Sequence, residues 1–191
     1  GLHGVSLVGT IVRPFWEQAI TANADAFEAT GSAALTNLPH MFPEQFLQWF
    51  VWIGGSGATI GLSICMLFAR SQYLKQMGRV SIIPSVFNIN EPIIFGLPIV
   101  MNPILIVPFI LAPVVMTIVA GLATMFGWVN GMVIRAPWTL PGPIGAWMAT
   151  FFDIRALILS LVCIAIATVI YFPFFKSYDN RLFNEEQGKA E

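Results

Sequence analysis

The chain has 191 residues, of which 57% are hydrophobic and only 10% are charged, far fewer charges than the roughly 25% usual in soluble domains. The formal net charge is −1, and no basic stripe or block is present. This excludes the electrostatic footprint of a nucleic-acid-binding protein and of a polybasic segment that binds lipid headgroups. The composition is that of a protein embedded in a membrane.

Residue types that bind metals or form disulfides are scarce. Cys65 and Cys163 each lie in an apolar run and are expected to be small buried hydrophobic residues. His3 and His40 have no cysteine or carboxylate at the spacing of a zinc site, so neither a metal site nor a cofactor is expected. The chain begins at Gly1 without a signal-peptide pattern, and we expect it to be part of a larger protein.

Residues 1–48 are mixed in character and too polar to cross a membrane. Charged side chains are scattered among Gly, Ala, Thr and Asn, at Arg13, Glu17, Asp25, Glu28 and Glu44. We predict interfacial or extramembrane segments made of short helices and loops. Pro43 suits the first turn of a helix, because its missing N–H would be unpaired there in any case. A helix is therefore predicted to begin near Pro43.

The run 49–69 contains no charged residue. It is long enough for a helix rising about 1.5 Å per residue to cross a hydrocarbon core of about 30 Å. We predict the first membrane span here. Gly57 and Gly61 form a Gly-x-x-x-Gly pair, which would let a second helix approach closely. Helix packing is favoured over ligand binding for this pair.

Residues 70–80 carry Arg70, Lys75 and Arg79 and no acidic residue. The positive-inside rule predicts that this loop lies in the cytoplasm. The first span would then run from the outside to the inside.

Between Val80 and Ile134 the only charged side chain is Glu91, and prolines occupy positions 84, 92, 98, 103, 108 and 113. Proline breaks the helical hydrogen-bond ladder, and lipid cannot satisfy the freed backbone groups. Such breaks therefore occur only where protein shields them or where they line a cavity. We predict a broken or re-entrant helical hairpin over residues 81–100 and a proline-kinked span over residues 103–127.

The segment 135–153 has the same broken character, with Trp, Pro and Gly interrupting an apolar background. It is predicted to be a second re-entrant element. Residues 156–175 are uncharged and predict a further span. Residues 49–175 would form the membrane-embedded region, followed by a cytoplasmic tail over residues 176–191. The predicted fold class is an all-α polytopic membrane protein with transmembrane helices and broken helical hairpins.

Glu91 is the residue that most strongly indicates a function. A charged side chain inside such an apolar run costs about 2.5–3.5 kcal/mol on insertion scales, and such groups are functional by default. Asn88, Asn90 and Asn102 add amide donors and acceptors nearby, and Pro92 would hold the backbone open. Together these groups could bind a neutral, hydroxyl-rich ligand. The alternative is that Glu91 only stabilises the first turn of a half-helix, where negative charge is favoured.

Trp138 and Trp147 offer flat faces that suit the apolar faces of pyranose rings, although tryptophan is also common in the interfacial belts of membrane proteins. Trp138 follows Pro137 and precedes a Pro-Gly-Pro turn. It is therefore the better candidate for a sugar-binding platform.

Three strings carry a resemblance to a known family: SIIPSVFNINEPIIFGLPIVMNP at 81–103, APWTLPGPIG at 136–145 and FPFFKSYD at 172–179. They resemble the membrane permease component, enzyme IIC, of the lactose, cellobiose and diacetylchitobiose family of the phosphoenolpyruvate-dependent sugar phosphotransferase system. The GLHG at the start of the chain is similar to the family's entry to its sugar site. The family's permeases are longer, and the resemblance assigns this chain to their C-terminal half.

The resemblance implies a multi-pass, homodimeric permease in the bacterial inner (plasma) membrane, within a protein-N(pi)-phosphohistidine–sugar phosphotransferase complex. Such a permease binds a disaccharide of the cellobiose, diacetylchitobiose or lactose type within the membrane. It presents a sugar hydroxyl to the phosphorylated cysteine of the cytoplasmic partner, enzyme IIB. Enzyme IIA and the phosphocarrier protein act upstream, and the phosphate stays with the sugar.

The resemblance also implies roles for four positions. Glu91 would bind the sugar hydroxyl that is phosphorylated and His3 would contact it, so both are predicted to be catalytic and substrate-binding. Trp138 would stack on a sugar ring, and Asn90 would add a polar contact. No cofactor, metal or nucleic-acid partner is implied.

Two other classes of function stay open at the level of the residues. One is a proton- or ion-coupled secondary sugar transporter in which Glu91 carries a proton, since such carriers also bind their substrates at broken helices. The other is a non-catalytic membrane scaffold, which the isolated carboxylate disfavours. A requirement for a phosphorylated donor protein would separate the permease from both. Side-chain composition does not distinguish gluco from galacto disaccharides.

Overall fold

The computed structural model describes residues 4–188, which form helices and no β-strand. The helices are α1 (Gly4–Thr30), α2 (Glu44–Phe46), α3 (Ile60–Leu67), α4 (Gln72–Val86), α5 (Glu91–Gly96), α6 (Pro103–Met125), α7 (Gly142–Ala149) and α8 (Ile154–Glu186). A 3₁₀ turn at Leu35–Asn37 and a π-helical turn at Leu47–Val51 are also present. The predicted all-α fold class is confirmed.

The chain forms two compact units, each made of two stretches of sequence. The first unit contains the described residues up to Val51 together with Met116–Cys163. The second unit contains Trp52–Val115 together with the described residues from Ile164 onward. The hairpin predicted over 81–100 therefore belongs to the second unit, and the element predicted over 135–153 belongs to the first.

Within the described residues, α6 and α8 are long and apolar enough to cross a membrane. Helix α6 lies within the span predicted over 103–127 and contains Pro108 and Pro113. Helix α8 includes all of the span predicted over 156–175 and contains Pro173. The length and composition of both helices agree with the membrane character of the sequence.

The prediction of one continuous helix over 49–69 is wrong. The π-helical turn ends at Val51, residues 52–59 are irregular, and α3 covers only Ile60–Leu67. Gly54, Gly55 and Gly57 have φ values of +80°, +98° and +78°, a conformation that glycine adopts without steric cost but that cannot continue a right-handed helix. These glycines therefore break the helix, a role that the prediction of helix packing overlooked.

The prediction that residues 70–80 form a loop is also wrong, because α4 begins at Gln72. Ser71 is its N-cap, and the Ser71 hydroxyl accepts a hydrogen bond from the backbone N–H of Leu74 at 3.3 Å. Two carboxylates of α8 bind the same helix start: Asp179 accepts from the backbone N–H of Ser71 at 2.9 Å, and Glu186 from that of Gln72 at 3.0 Å. Lys75 and Arg79 are thus helical residues.

These contacts also explain why α8 extends to Glu186, where a tail separate from the last span was predicted from residue 176. Asp179 and Glu186 are held by the start of α4, and Arg181 pairs with Glu185 at 3.0 Å across one helical turn. A chain whose polar side chains are satisfied in this way continues as a helix.

The prediction of short helices and loops over residues 1–48 is wrong for the first part of this stretch, because α1 is a single helix of 27 residues. Ala and Glu, which favour helices, are frequent in the second half of α1. Asn23 lies buried on this helix, and its amide donates to the carbonyl oxygens of His40 at 2.8 Å and Met132 at 2.9 Å. The predicted helix start near Pro43 is confirmed by α2, and the predicted burial of Cys65 and Cys163 is confirmed as well.

Close helix packing occurs at Gly61, as its place in the Gly-x-x-x-Gly pair predicts. A Cβ atom added to Gly61 of α3 would lie 2.7 Å from the carbonyl carbon of Ala167 and from the amide nitrogen of Thr168 in α8. Backbone atoms cannot move aside as a flexible side chain can. The contact between α3 and α8 therefore depends on the absence of a side chain at residue 61.

We expect Gly61→Ala to destabilise the full-length protein by about 1–3 kcal/mol, because overpacking would push α3 away from α8. Gly121→Ala is the matched control, since a Cβ there would meet nothing closer than 3.6 Å. Thermal unfolding in detergent would measure both variants. Equal midpoints for the two would show that the close approach of α3 and α8 is wrong.

Candidate functional site

The candidate site is built around the break between α4 and α5. Helix α4 ends at Val86, and Asn88 adopts a left-handed conformation with a φ of +62°, which asparagine tolerates better than most residues. Helix α5 then begins at Glu91, with Pro92 in its first turn, where the missing proline N–H costs no hydrogen bond. Residues 81–100, where a broken hairpin is predicted, thus contain the end of α4 and the whole of α5, joined by residues 87–90.

This break is braced by the irregular segment 52–59 of the same unit. The side-chain oxygen of Asn88 accepts a hydrogen bond from the backbone N–H of Gly54 at 3.0 Å. The side-chain amide of Asn90 donates to the carbonyl oxygen of Ser56 at 2.9 Å and to its hydroxyl at 3.2 Å. A Cβ added to Gly55 would lie 2.4 Å from the Asn90 amide carbon. The two interrupted segments therefore fit tightly and satisfy polar groups of one another.

Two further side chains complete the support of segment 52–59. The Thr59 hydroxyl donates to the carbonyl oxygen of Gly54 at 2.7 Å, and the Tyr171 hydroxyl donates to that of Gly57 at 2.7 Å. Thr59 and Tyr171 are both fully buried. No sequence pattern pointed to Tyr171, because it lies in an apolar run more than a hundred residues after Gly57 and looks there like an ordinary core aromatic residue.

Glu91 differs from its neighbours in the break. Its side chain is exposed, whereas Asn90 is buried. Within the described part of the chain the Glu91 carboxylate makes no hydrogen bond or ion pair. It lies in the first turn of α5, where negative charge is favourable, but it accepts no hydrogen bond from the helix start. The arrangement leaves a carboxylate available to accept hydrogen bonds from a ligand.

The structure places the other predicted site residues as follows. Trp138 belongs to the first unit, lies in a turn closed by a hydrogen bond from Leu140 N–H to Pro137 O, and is 61% exposed. Trp147 is less exposed and packs edge-on against Phe152 with ring centroids 4.8 Å apart. The Trp147 ring therefore already contacts another ring of the protein and is less available to a ligand than that of Trp138. His3 lies outside the described residues.

A cluster of charged residues in the first unit was not predicted from the sequence. Glu17 of α1 forms an ion pair with Arg135. The charges of both residues and of Arg13 act on the Glu44 carboxyl. Burial raises the pKa of the Glu44 carboxyl above its usual value; the charge of Arg13 opposes this rise. A cavity of about 460 Å³ lies along α1 between Gly9 and Glu17. In the sequence these charges are far apart and look like separate solvated residues.

An α-helical fold with two apolar helices of membrane-spanning length among the described residues is typical of an integral membrane protein. Residues 1–113 match the family model described as "Phosphotransferase system, EIIC". The chain belongs to this family, as the resemblance predicted.

Relatives and a solved structure agree with this assignment. The chain is 46% identical to the putative permease IIC component YwbA of Bacillus subtilis over 98% of its own length, and 44% identical to the cellobiose-specific EIIC component of Geobacillus stearothermophilus, again over 98%. It spans 42% of each of these relatives. The crystal structure of the transporter ChbC, the IIC component from the N,N'-diacetylchitobiose-specific phosphotransferase system, superposes with a TM-score of 0.93 at 42% identity. That match covers 100% of this chain and 43% of ChbC.

The bracing role of Asn90 is testable by a matched pair of substitutions. Asn90→Asp replaces the donor that binds Ser56, whereas Asn88→Asp keeps the acceptor that binds the Gly54 N–H, and each adds one carboxyl group to the same turn. We expect Asn90→Asp to lower the free energy of unfolding of the full-length protein by about 1–3 kcal/mol more than Asn88→Asp does, because Asn90→Asp removes a buried donor. Thermal unfolding in detergent would measure both variants.

Equilibrium binding of a labelled disaccharide should be measured on the same samples. If Asn90→Asp kept the stability of Asn88→Asp and lost only sugar affinity, Asn90 would be a ligand contact and not a brace.

Proposed function

We propose that the full-length protein is a sugar-specific permease of the phosphotransferase system that binds a disaccharide in the membrane and presents it for phosphorylation during uptake. The family assignment supports this role. The names of relatives narrow the substrate class, because they specify cellobiose, lactose, oligo-β-mannoside and, for the solved structure, N,N'-diacetylchitobiose. A β-linked disaccharide or its N-acetylated counterpart is the substrate class that fits these names.

The single observation that carries the proposal is the Glu91 carboxylate, which is exposed at a braced helix break and has no hydrogen-bond or ion-pair partner among the described residues. A carboxylate accepts strong hydrogen bonds from sugar hydroxyls. In the proposed step Glu91 accepts the proton of one sugar hydroxyl. The oxygen of that hydroxyl attacks the phosphorus of the phosphocysteine on enzyme IIB. The phosphorus–sulfur bond breaks, and the cysteine leaves as a thiolate. The product is a sugar phosphate, and no other reactant is needed.

The remaining predicted site residues have supporting roles in this proposal. Trp138 stacks on a sugar ring, which its exposure permits, and His3 contacts the reacting hydroxyl. Asn90 supplies a polar contact in the proposal, but its donor already binds Ser56, so its main contribution is to hold the Glu91 turn in place.

The proposed partners are a phosphorylated enzyme IIB, with enzyme IIA and the phosphocarrier protein upstream, and a second copy of the permease. One of the relatives joins the two components in its name, as the lactose-specific EIICB component of Staphylococcus aureus. The proposed location is the bacterial inner membrane, crossed several times, with Lys75 and Arg79 on the cytoplasmic side.

The role of Trp138 predicts unequal effects of two tryptophan substitutions. Trp138→Ala should weaken disaccharide binding by about 1–3 kcal/mol, as expected for loss of one aromatic platform. Trp147→Ala should weaken binding less and lower thermal stability more, because Trp147 packs against Phe152. Isothermal titration of both variants, with their melting temperatures, measures this. Equal losses of affinity, or a loss only in the Trp147 variant, would move the platform away from Trp138.

The role of Glu91 predicts that Glu91→Gln reduces sugar phosphorylation far more than sugar binding. Glutamine keeps the shape and one acceptor but removes the charge and the basicity. Formation of sugar phosphate should fall by about 10²–10⁴-fold, the usual contribution of an acid or base catalyst. The measurement uses membranes containing the full-length protein, purified phosphorylated enzyme IIB and labelled disaccharide.

Glu185→Gln is the matched control, because Glu185 is an exposed carboxylate of the same unit that pairs only with Arg181 among the described residues. It should phosphorylate normally. A Glu91→Gln protein with turnover close to that of this control would contradict the catalytic role of Glu91. Only a structural role would then remain for this residue.

A further inference from the structure

A second cavity, of about 360 Å³, lies in the second unit beside α3 and α8, and its lining includes none of residues 87–91. Its walls combine apolar and charged side chains. The apolar part includes Ile64 and Phe68 from one stretch of chain and Phe172 and Phe175 from the other. The function proposed above makes no use of this cavity.

The cavity lies where two apolar runs end. Arg70 is the first charged residue after the uncharged run 49–69, and Lys176 is the first after the uncharged run 156–175. Both residues line the cavity. A charged side chain that follows the apolar part of a membrane-spanning helix is expected at the membrane–water interface, so Lys176 of α8 places this part of the cavity near the polar surface of the bilayer.

Two cations, Arg70 and Lys176, and one carboxylate, Asp179, line the cavity, and the carboxylate is already hydrogen-bonded within the protein. Asp179 is buried and accepts hydrogen bonds from the backbone N–H groups of Arg70 at 3.0 Å and Ser71 at 2.9 Å, so its negative charge is stabilised within the protein. The Arg70 guanidinium lies over the Phe183 ring at 4.6 Å. Lys176 is exposed and makes no hydrogen bond or ion pair with any described residue. No described residue therefore occupies its ammonium group, which can bind a ligand.

The apolar wall is suited to a hydrocarbon chain. Phe68 is 81% exposed and Phe172 is 55% exposed. In a membrane protein, such side chains contact lipid tails at no cost. A ligand with a hydrocarbon tail beside these rings and a negative charge near Lys176 would match both parts of the cavity.

We propose that this cavity is a binding site for one anionic phospholipid. The lipid phosphate lies between Arg70 and Lys176, and an acyl chain lies against Phe68 and Phe172. Basic pockets between membrane helices bind acidic headgroups in this way. The two cations are far apart in the sequence, so no basic block predicts the site, and the fold alone brings them together.

Photo-crosslinking identifies what occupies the cavity. Phe68→p-benzoylphenylalanine places a photoreactive group in the apolar wall of the full-length protein, in nanodiscs of phosphatidylcholine and phosphatidylglycerol. Mass spectrometry after illumination should find phosphatidylglycerol attached at residue 68, enriched over its share of the bilayer. Attachment to another part of the same chain or to a second copy would overturn the proposal. Attachment in proportion to bilayer composition would also overturn it.

Lipid titration tests the contribution of the charge. In phosphatidylcholine nanodiscs with increasing phosphatidylglycerol, Lys176→Gln should weaken phosphatidylglycerol binding about five-fold, the factor for one cation near an anionic surface. Arg79→Gln is the control, since Arg79 is an exposed cation outside the cavity, and it should bind like the unsubstituted protein. Equal affinities for both variants would contradict the site. Full competition by inorganic phosphate would also contradict it, because it would show an anion site that makes no use of the tail.

Discussion

The structure of the second unit depends on one constraint: a polypeptide that interrupts its helices within apolar sequence must satisfy the freed backbone groups internally. Two interruptions, at 52–59 and 87–90, meet this constraint together. Asn88 and Asn90 form hydrogen bonds from the second interruption to the first. Thr59 and Tyr171 donate hydrogen bonds to two further carbonyl oxygens of the first interruption. Neither interruption could be altered alone, because each supplies hydrogen-bond partners to the other.

This arrangement separates two tasks within a short string of residues. The asparagines of Asn-Ile-Asn-Glu-Pro turn toward segment 52–59 and hold the backbone, whereas the glutamate is exposed at the start of α5. A rigid turn is what a binding carboxylate needs, since catalysis and recognition both lose efficiency when a group is displaced by about 1 Å. The glycines at 54, 55 and 57 belong to the same design, because side chains there would collide with their neighbours.

Local chemistry predicted some of this and could not predict the rest. The density of prolines around Glu91 indicated a break in the helix there, and the apolar surroundings of Cys65 and Cys163 indicated their burial. Counting charges predicted a helix over 49–69, but the glycine conformations break it there. It also predicted a loop at 70–80 and a separate tail from 176, whereas contacts of Asp179 and Glu186 hold helices in both places. Such contacts join residues more than a hundred positions apart, which no local pattern encodes. The site roles of Glu91 and Trp138 stay predictions, while the bracing role of Asn90 became visible only in the fold.

A double-mutant cycle measures whether the Glu91 carboxylate binds the sugar hydroxyl that becomes phosphorylated. The affinities of the full-length protein and its Glu91→Gln variant would be compared for the disaccharide and for its analogue lacking that hydroxyl. If the two groups are in contact, removing either one makes loss of the other nearly harmless, with a coupling free energy of about 0.5–3 kcal/mol. Independent, additive losses of affinity would show that Glu91 does not contact this hydroxyl, and would contradict its role in sugar binding.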